Sequence, residues 1–182
     1  MDRSNGAQRT SMQVEWKKIE PQGKERPGPL SHHTSVVVND KMFLFGGSGP
    51  RSKGQGDASP HPLWALDMKS LRWEQVVSRG ELPQTRDDHS AVLYDGNSLV
   101  VFGGFVDGER TNEILRYHIR ENKWEEVVVR GDDCPKPRAG HSAVVHGHNM
   151  VIFGGRDEDS DKLNDVWLFN LQNYSWNHVE DA

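Results

Sequence analysis

Three histidines open similar stretches: His33-Thr34-Ser35-Val36, His89-Ser90-Ala91-Val92 and His141-Ser142-Ala143-Val144. An imidazole can ligate metal or move a proton near neutral pH. One histidine per stretch points instead to a structural role, in which each hydrogen-bonds backbone in the next unit. The pair His146 and His148 lies in a predicted hairpin turn without the partner motif of a zinc site, so a solvated turn is expected. Two arginines, Arg86 and Arg138, each stand three residues before a phased histidine. A guanidinium grips carboxylate through a planar fork and stays charged. The carboxylate can belong to a partner, or to Asp87, Asp88 or an acid of a neighbouring unit in a structural ion pair. Asp157, Asp159 and Asp161 alternate in one loop, which lacks the central glycine and final glutamate of a calcium loop. That loop reads as solvated, or as an attractor of a basic peptide. Arg51, in Arg51-Ser52-Lys53, has the opposite sign and could meet an acidic partner or a second copy's acidic loop, though simple disorder explains it as well. No metal and no cofactor are expected.

Other chemistry finds few residues to carry it. No Gly-x-Ser-x-Gly elbow, phosphate loop or dinucleotide fingerprint occurs. Cys134 is the single cysteine, so no internal disulfide can form. The net charge of −5 argues against a nucleic-acid module, whose mark is a clustered basic face. No run approaches the ~20 apolar residues of a membrane-spanning helix. The start, Met1-Asp2-Arg3-Ser4-Asn5-Gly6, has no apolar core of a signal peptide. The expected compartment is the cytoplasm, and nothing in the chain separates that from the nucleus.

The elements that position these residues recur. Among 182 residues, with 34% hydrophobic and 18 glycines, three apolar segments end in Phe-Gly-Gly. Their glycines are Gly46-Gly47, Gly103-Gly104 and Gly154-Gly155, in steps of 57 and 51 residues. A tryptophan follows each: Trp73, Trp124 and Trp176, with Trp16 preceding in phase. An insertion from Ser48 to Pro62, rich in Gly, Ser and Pro, lengthens the first period. A fixed order of landmarks at periods near 50 is the sign of a repeat array. In the third period four short runs, His141–His146, Met150–Gly155, Asp165–Leu171 and Tyr174–Val179, are bounded by turn residues. No 3.6-residue apolar stripe appears, so little or no helix is expected. Four antiparallel strands per period, repeated radially, describe propeller blades. The paired glycines fit a strand end crowded by a neighbouring backbone.

On these residues the sequence resembles the kelch-repeat family. The resemblance rests on the three Phe-Gly-Gly runs and on Leu66, Tyr117 and Phe169, each seven places before a tryptophan. The pairs Asn112-Glu113 and Asn164-Asp165 are also similar to kelch usage. Leu66 and Phe169 stand where the family usually has Tyr, and Leu30-Ser31 replaces the Arg86-Asp87 and Arg138-Ala139 of the later repeats, making the first blade the least typical. The resemblance implies that Arg86 and Arg138 face the mouth of a central channel, where arginines grip acidic or polar peptide groups. Kelch-like copper oxidases and iron-dependent specifier proteins imply enzymes too. Here Cys134 sits in an interblade loop and Tyr117 belongs to the repeat, and no Glu-x-x-x-Asp-x-x-x-His run occurs. The chain is therefore expected not to be an enzyme.

The reading is an all-β, kelch-type β-propeller segment of three four-stranded antiparallel blades, either a partial propeller or half of a six-blade dimer. Residues 1–12 form a disordered tail, 13–20 an orphan outer strand, and 30–79, 86–130 and 138–180 the three repeats. In a dimer the orphan strand would have to augment an edge. The expected function is a non-catalytic protein–protein interaction module, docking a protein or peptide on the loops after each Gly-Gly and before each phased histidine. Neither nucleic acid nor membrane is expected as a partner. The alternative is a fragment of a larger kelch protein that is an enzyme or a ubiquitin-ligase substrate adaptor.

Overall fold

The computed structural model describes residues 14–49 and 63–180. Arg51 and the loop around it lie outside the described residues, as does the expected tail. Strands β1 (Thr34–Val38), β2 (Lys41–Phe45), β3 (Leu63–Asp67) and β4 (Arg72–Gln75) form the first blade, each antiparallel to the next. The short β5 (Arg79–Gly80) follows. The second blade contains β6 (Ser90–Tyr94), β7 (Ser98–Phe102), β10 (Ile114–His118) and β11 (Lys123–Glu126). A small hairpin, β8 (Phe105–Val106) and β9 (Glu109–Arg110), rises between its second and third strands. The third blade is β12 (Ser142–His146), β13 (Asn149–Phe153), β14 (Val166–Asn170) and β15 (Ser175–Val179). No helix occurs among the described residues. The fold is the all-β, four-stranded repeat that the sequence predicts.

The seven-residue spacing to each tryptophan is a hairpin register. Leu66 faces Trp73, Tyr117 faces Trp124, and Phe169 faces Trp176 across adjacent antiparallel strands. The core lies between blades. Strand β7 alternates its side chains, sending Leu99 and Val101 into the cluster shared with the first blade, and Val100 and Phe102 into that shared with the third. Strands buried on both faces read as continuous apolar runs, as Leu99 to Phe102 does.

One expectation requires correction. Residues 14–20 form no strand, and Trp16 stands 92% exposed. An outer strand pairs with the third strand of its own blade, and no such strand precedes β1 among the described residues. The segment's continuation does obey the repeat. Gln22, six residues after Trp16, bridges Arg72 in parallel. Arg79, six after Trp73, pairs in parallel with Lys123, and Arg130, six after Trp124, bridges Ser175. Each connection thus lies along the outer strand of the blade that follows, an arrangement the sequence reading missed.

Candidate functional site

The phased residues meet at the blade junctions. Nε2 of His89 lies 2.7 Å from Thr34 Oγ1, and Nε2 of His141 lies 2.8 Å from Ser90 Oγ. Each histidine therefore bonds the first hydroxyl of the preceding blade's inner strand, rather than backbone in the following blade as expected. The hydroxyl next to the phased histidine is the other half of the same contact. Burial pushes His89 down to about 3 and His141 down to about 4, and the charges of Arg86 and Arg138 push the same way. Both rings are neutral at pH 7. Among the described residues no group of three or more His, Cys, Asp or Glu is arranged to hold a metal. The remaining phased histidine, His33, is exposed. His148 contacts the second blade through Tyr94, 2.9 Å from its Nδ1.

The glycine pairs divide their work. A Cβ on Gly46 would lie 2.4 Å from the Arg86 carbonyl oxygen and 2.7 Å from the His89 ring, both in the next blade. Gly103 meets Arg138 and His141 in the same way, at 2.7 and 3.0 Å. The second glycines are crowded within their own blades: Gly47 by Ser31 and His33, Gly104 by Asp87 and His89, Gly155 by Ala139 and His141. The N–H groups of Gly47 and Gly104 donate to the carbonyls of Arg86 and Arg138 across the junctions, at 2.8 and 2.9 Å.

The arginines do not stand exposed at a channel mouth. Arg86 and Arg138 are 2% and 0% exposed. Arg138 donates to both carboxylate oxygens of Asp165, at 2.7 and 2.8 Å, and to the carbonyls of Gly154 and Lys136. Arg86 donates to Glu113 at 2.9 Å and to the Gly103 carbonyl. Arg138 holds the Asp165 carboxyl below the usual range. The physical reason for the correction is local. Each arginine enters the blade beside the Gly-Gly turn, whose carbonyl needs a donor, and the residue opening the third strand supplies the charge. The ion pair predicted as the alternative exists, but its acids are Glu113 and Asp165 of the same blade, not Asp87 or Asp88.

Of the acidic loop, Asp157 is buried and committed internally. It accepts from the Asp161 N–H at 3.1 Å and from Lys136 Nζ at 3.3 Å. Asp159 and Asp161 are exposed beside it. Trp73, Trp124 and Trp176 serve the repeat, the last two inside the junction cores. The free thiol of Cys134 is exposed, near the Asn112 amide.

Among the described residues, two clefts on the loop face adjoin at Phe105. The first, about 580 Å³, lies between the first two blades and includes Arg86, Asp87, Asp107 and Phe105. The second, about 360 Å³, lies between the last two and includes Asp88, Phe105, Arg110, Arg156 and Lys162. Phe105 borders both, with the Arg110 guanidinium 4.6 Å from its ring centre. Arg110 also reaches the Glu158 carbonyl and the Ser160 hydroxyl, tying the second blade's hairpin to the third blade's loop. Burial and the neighbouring Asp88 raise the Asp87 carboxyl. The sequence points docking to these loops and, of the cleft side chains, singles out only Arg86, with Asp87 and Asp88 as ion-pair acids. Phe105 and Arg156 directly follow a Gly-Gly pair, which was the available signal.

A family model, the KLHDC2/KLHL20/DRC7 Kelch-repeats domain, matches residues 8–132 and 48–182. The flagellar outer-arm dynein alpha chain of Chlamydomonas reinhardtii is 30% identical over 176 residues, covering 94% of this chain and 4% of that one. The leucine-zipper-like transcriptional regulator 1 homolog of Drosophila melanogaster is 28% identical, covering 94% of this chain and 17% of its own. The N-(sulfonatooxy)prop-2-enimidothioate sulfolyase of Thlaspi arvense is 27% identical, over 80% of this chain and 41% of the enzyme. The chain thus spans less than half the length of these relatives. Phased histidines, crowded glycine pairs and tryptophan registers agree with the match: the chain belongs to the kelch-repeat family.

Proposed function

We propose that this chain is a non-catalytic docking module that holds a protein or peptide segment across its loop face. The observation that carries the reading is the pair of adjoining clefts that differ in the balance of their charges, the first lined by two acids and the ion-paired Arg86, the second by three cations and Asp88, with Phe105 between them. Asp87 and Asp107 favour a basic group in the first, and Arg110, Arg156 and Lys162 favour an acidic group in the second. Loops on rigid blades keep the ordering cost of binding low. Arg86 and Arg138 act by holding those loops, and exposed Asp159 lies in a separate, smaller cleft with Lys136 and Asp157. Family membership supports protein binding in general and leaves the partner's identity to experiment.

The test is a displayed peptide library selected on the immobilised chain. The reading expects ligands that carry an acidic group and bind at least tenfold more weakly to the Arg156→Glu, Lys162→Glu double variant. Ligands indifferent to that reversal and to Phe105→Ala would reject it. The short share of each relative that the chain spans supports a second reading, in which the same face serves inside a longer enzyme or a ubiquitin-ligase substrate adaptor.

A further inference from the structure

The two internal junctions are built from the same contacts. Phe45 packs 4.8 Å from Trp124 and 5.2 Å from His89; Phe102 packs 5.0 Å from both Trp176 and His141. Val36 and Val92, on the outgoing side of the inner strands, pack in the two cores, and Leu93 and Val145 pack from the incoming side. The third blade presents the next outgoing set with nothing against it among the described residues. Phe153 is 53% exposed and Val144 61% exposed, and Ser142 and Val179 are exposed beside them. Gly154 shows the same gap. A Cβ there would meet only Leu163 of its own blade, where Gly46 and Gly103 meet a neighbour.

The first blade presents the matching incoming set. His33 is exposed, Val37 is 50% exposed, and Trp73 is partly exposed. The exposure of Val37 means that residues 14–20 leave this face accessible. In repeat phase, His33 corresponds to His89 and His141, Trp73 to Trp124 and Trp176, and Val37 to Leu93 and Val145.

We propose that the outgoing face of the third blade seats the first blade of a second copy of this chain. Ser142 would receive His33, and Phe153 would pack on Trp73 and His33, repeating a junction that the chain already forms twice. The contact is heterologous, so each copy contributes one face and keeps the other. This inference does not rest on the loop-face reading and uses none of its residues.

The experiment is sedimentation of the unaltered chain, of Phe153→Asp and of Val37→Asp, alone and mixed in equal amounts. Both positions are exposed, so at dilution where the unaltered chain is a single copy the melting curve of each variant should match its own; Val144→Asp is the second choice for the outgoing face. The expected result is concentration-dependent growth above the 20.6 kDa of one chain, single-chain mass for each variant alone, and a two-copy species in the mixture. The mixture restores one contact because each variant keeps the face the other lacks. A single-chain mass for the unaltered protein at high micromolar concentration overturns the proposal. So does a mixture that stays at single-chain mass, or variants that associate as the unaltered chain does.

Discussion

The second and third blades bury an arginine against an acid, Arg86 with Glu113 and Arg138 with Asp165. In the first blade Leu30 stands in the arginine's place, and Pro62 in the acid's. Both halves of the pair are missing together. A buried charge left alone costs far more than a pair removed whole, so a repeat that loses one half is under pressure to lose the other. His33 behaves differently. It keeps the phase of His89 and His141 although no earlier blade stands against it among the described residues. The contrast separates two kinds of recurring residue. Arginine and acid act within a blade, and can be exchanged within it. Histidine, hydroxyl and first glycine act between blades, and their use depends on a neighbour.

The sharpest way to break that distinction is at the glycines. Gly46, Gly103 and Gly154 share a left-handed φ of 64–68°, so valine strains all three backbones alike. Only Gly46 and Gly103 would also drive a Cβ into the next blade. Gly46→Val and Gly103→Val should each cost about 4 kcal/mol or more, combining strain with a clash against the next blade, and Gly154→Val about 1–3 kcal/mol from strain and the milder 3.0 Å approach to the Leu163 carbonyl. Urea unfolding measures the difference; equal losses would mean that junction crowding is unimportant. Gly104→Val and Gly155→Val should both be severe, because their crowding is internal to the blade.

Acid should act next. Below about pH 6.5 the unfolded chain takes up protons that buried His89 and His141 refuse in the folded chain. Stability should fall from there toward pH 4 for His141 and pH 3 for His89, at up to about 1.4 kcal/mol per pH unit for each ring. The depressed Asp165 carboxyl adds a further loss as pH falls through its folded value. Thermal melts between pH 7 and 4 test this, and replacing His141 by Gln should flatten the slope. A flat profile in the unaltered chain would contradict neutral, buried rings.

The smallest effect concerns the hydroxyls. Thr34→Val and Ser90→Ala each remove the partner of a buried imidazole and should cost about 1–2 kcal/mol. Ser142→Ala, at dilution where the chain is a single copy, should cost nothing measurable, since no imidazole meets it. Melting temperatures of the three variants provide the comparison, and a loss in Ser142→Ala equal to the others would remove the neighbour from the explanation.

The sequence made some of this readable and hid the rest for physical reasons. Blade number and the tryptophan registers were legible because a hairpin fixes local spacing, as from Tyr117 to Trp124. The histidine's structural role was legible from its phase; its partner was misjudged because Thr34 lies 55 residues from His89, and only the curvature of the array joins them. The pairing of Arg138 with Asp165 spans a hairpin and a loop, so no local pattern announces it. An arginine read as exposed proved buried because its partner, not its own type, decides where it can sit. Phe105 and Lys162 were invisible for a similar reason: they share no cleft until two blades pack. Residues 14–20 had the composition of a strand and lacked a sheet to join.

The phased polar residues hold the blades, and under the proposed function the clefts beside Phe105 do the binding. A double-mutant cycle on Arg138→Leu and Asp165→Asn tests this division most directly, read by urea unfolding and by affinity for a selected peptide. The expected result is a coupling of about 1.5–3 kcal/mol in stability, as for a charge-assisted pair, and peptide affinity within about twofold of the unaltered chain in every variant that remains folded. Negligible coupling together with a tenfold or greater loss of affinity in folded Arg138→Leu would contradict it.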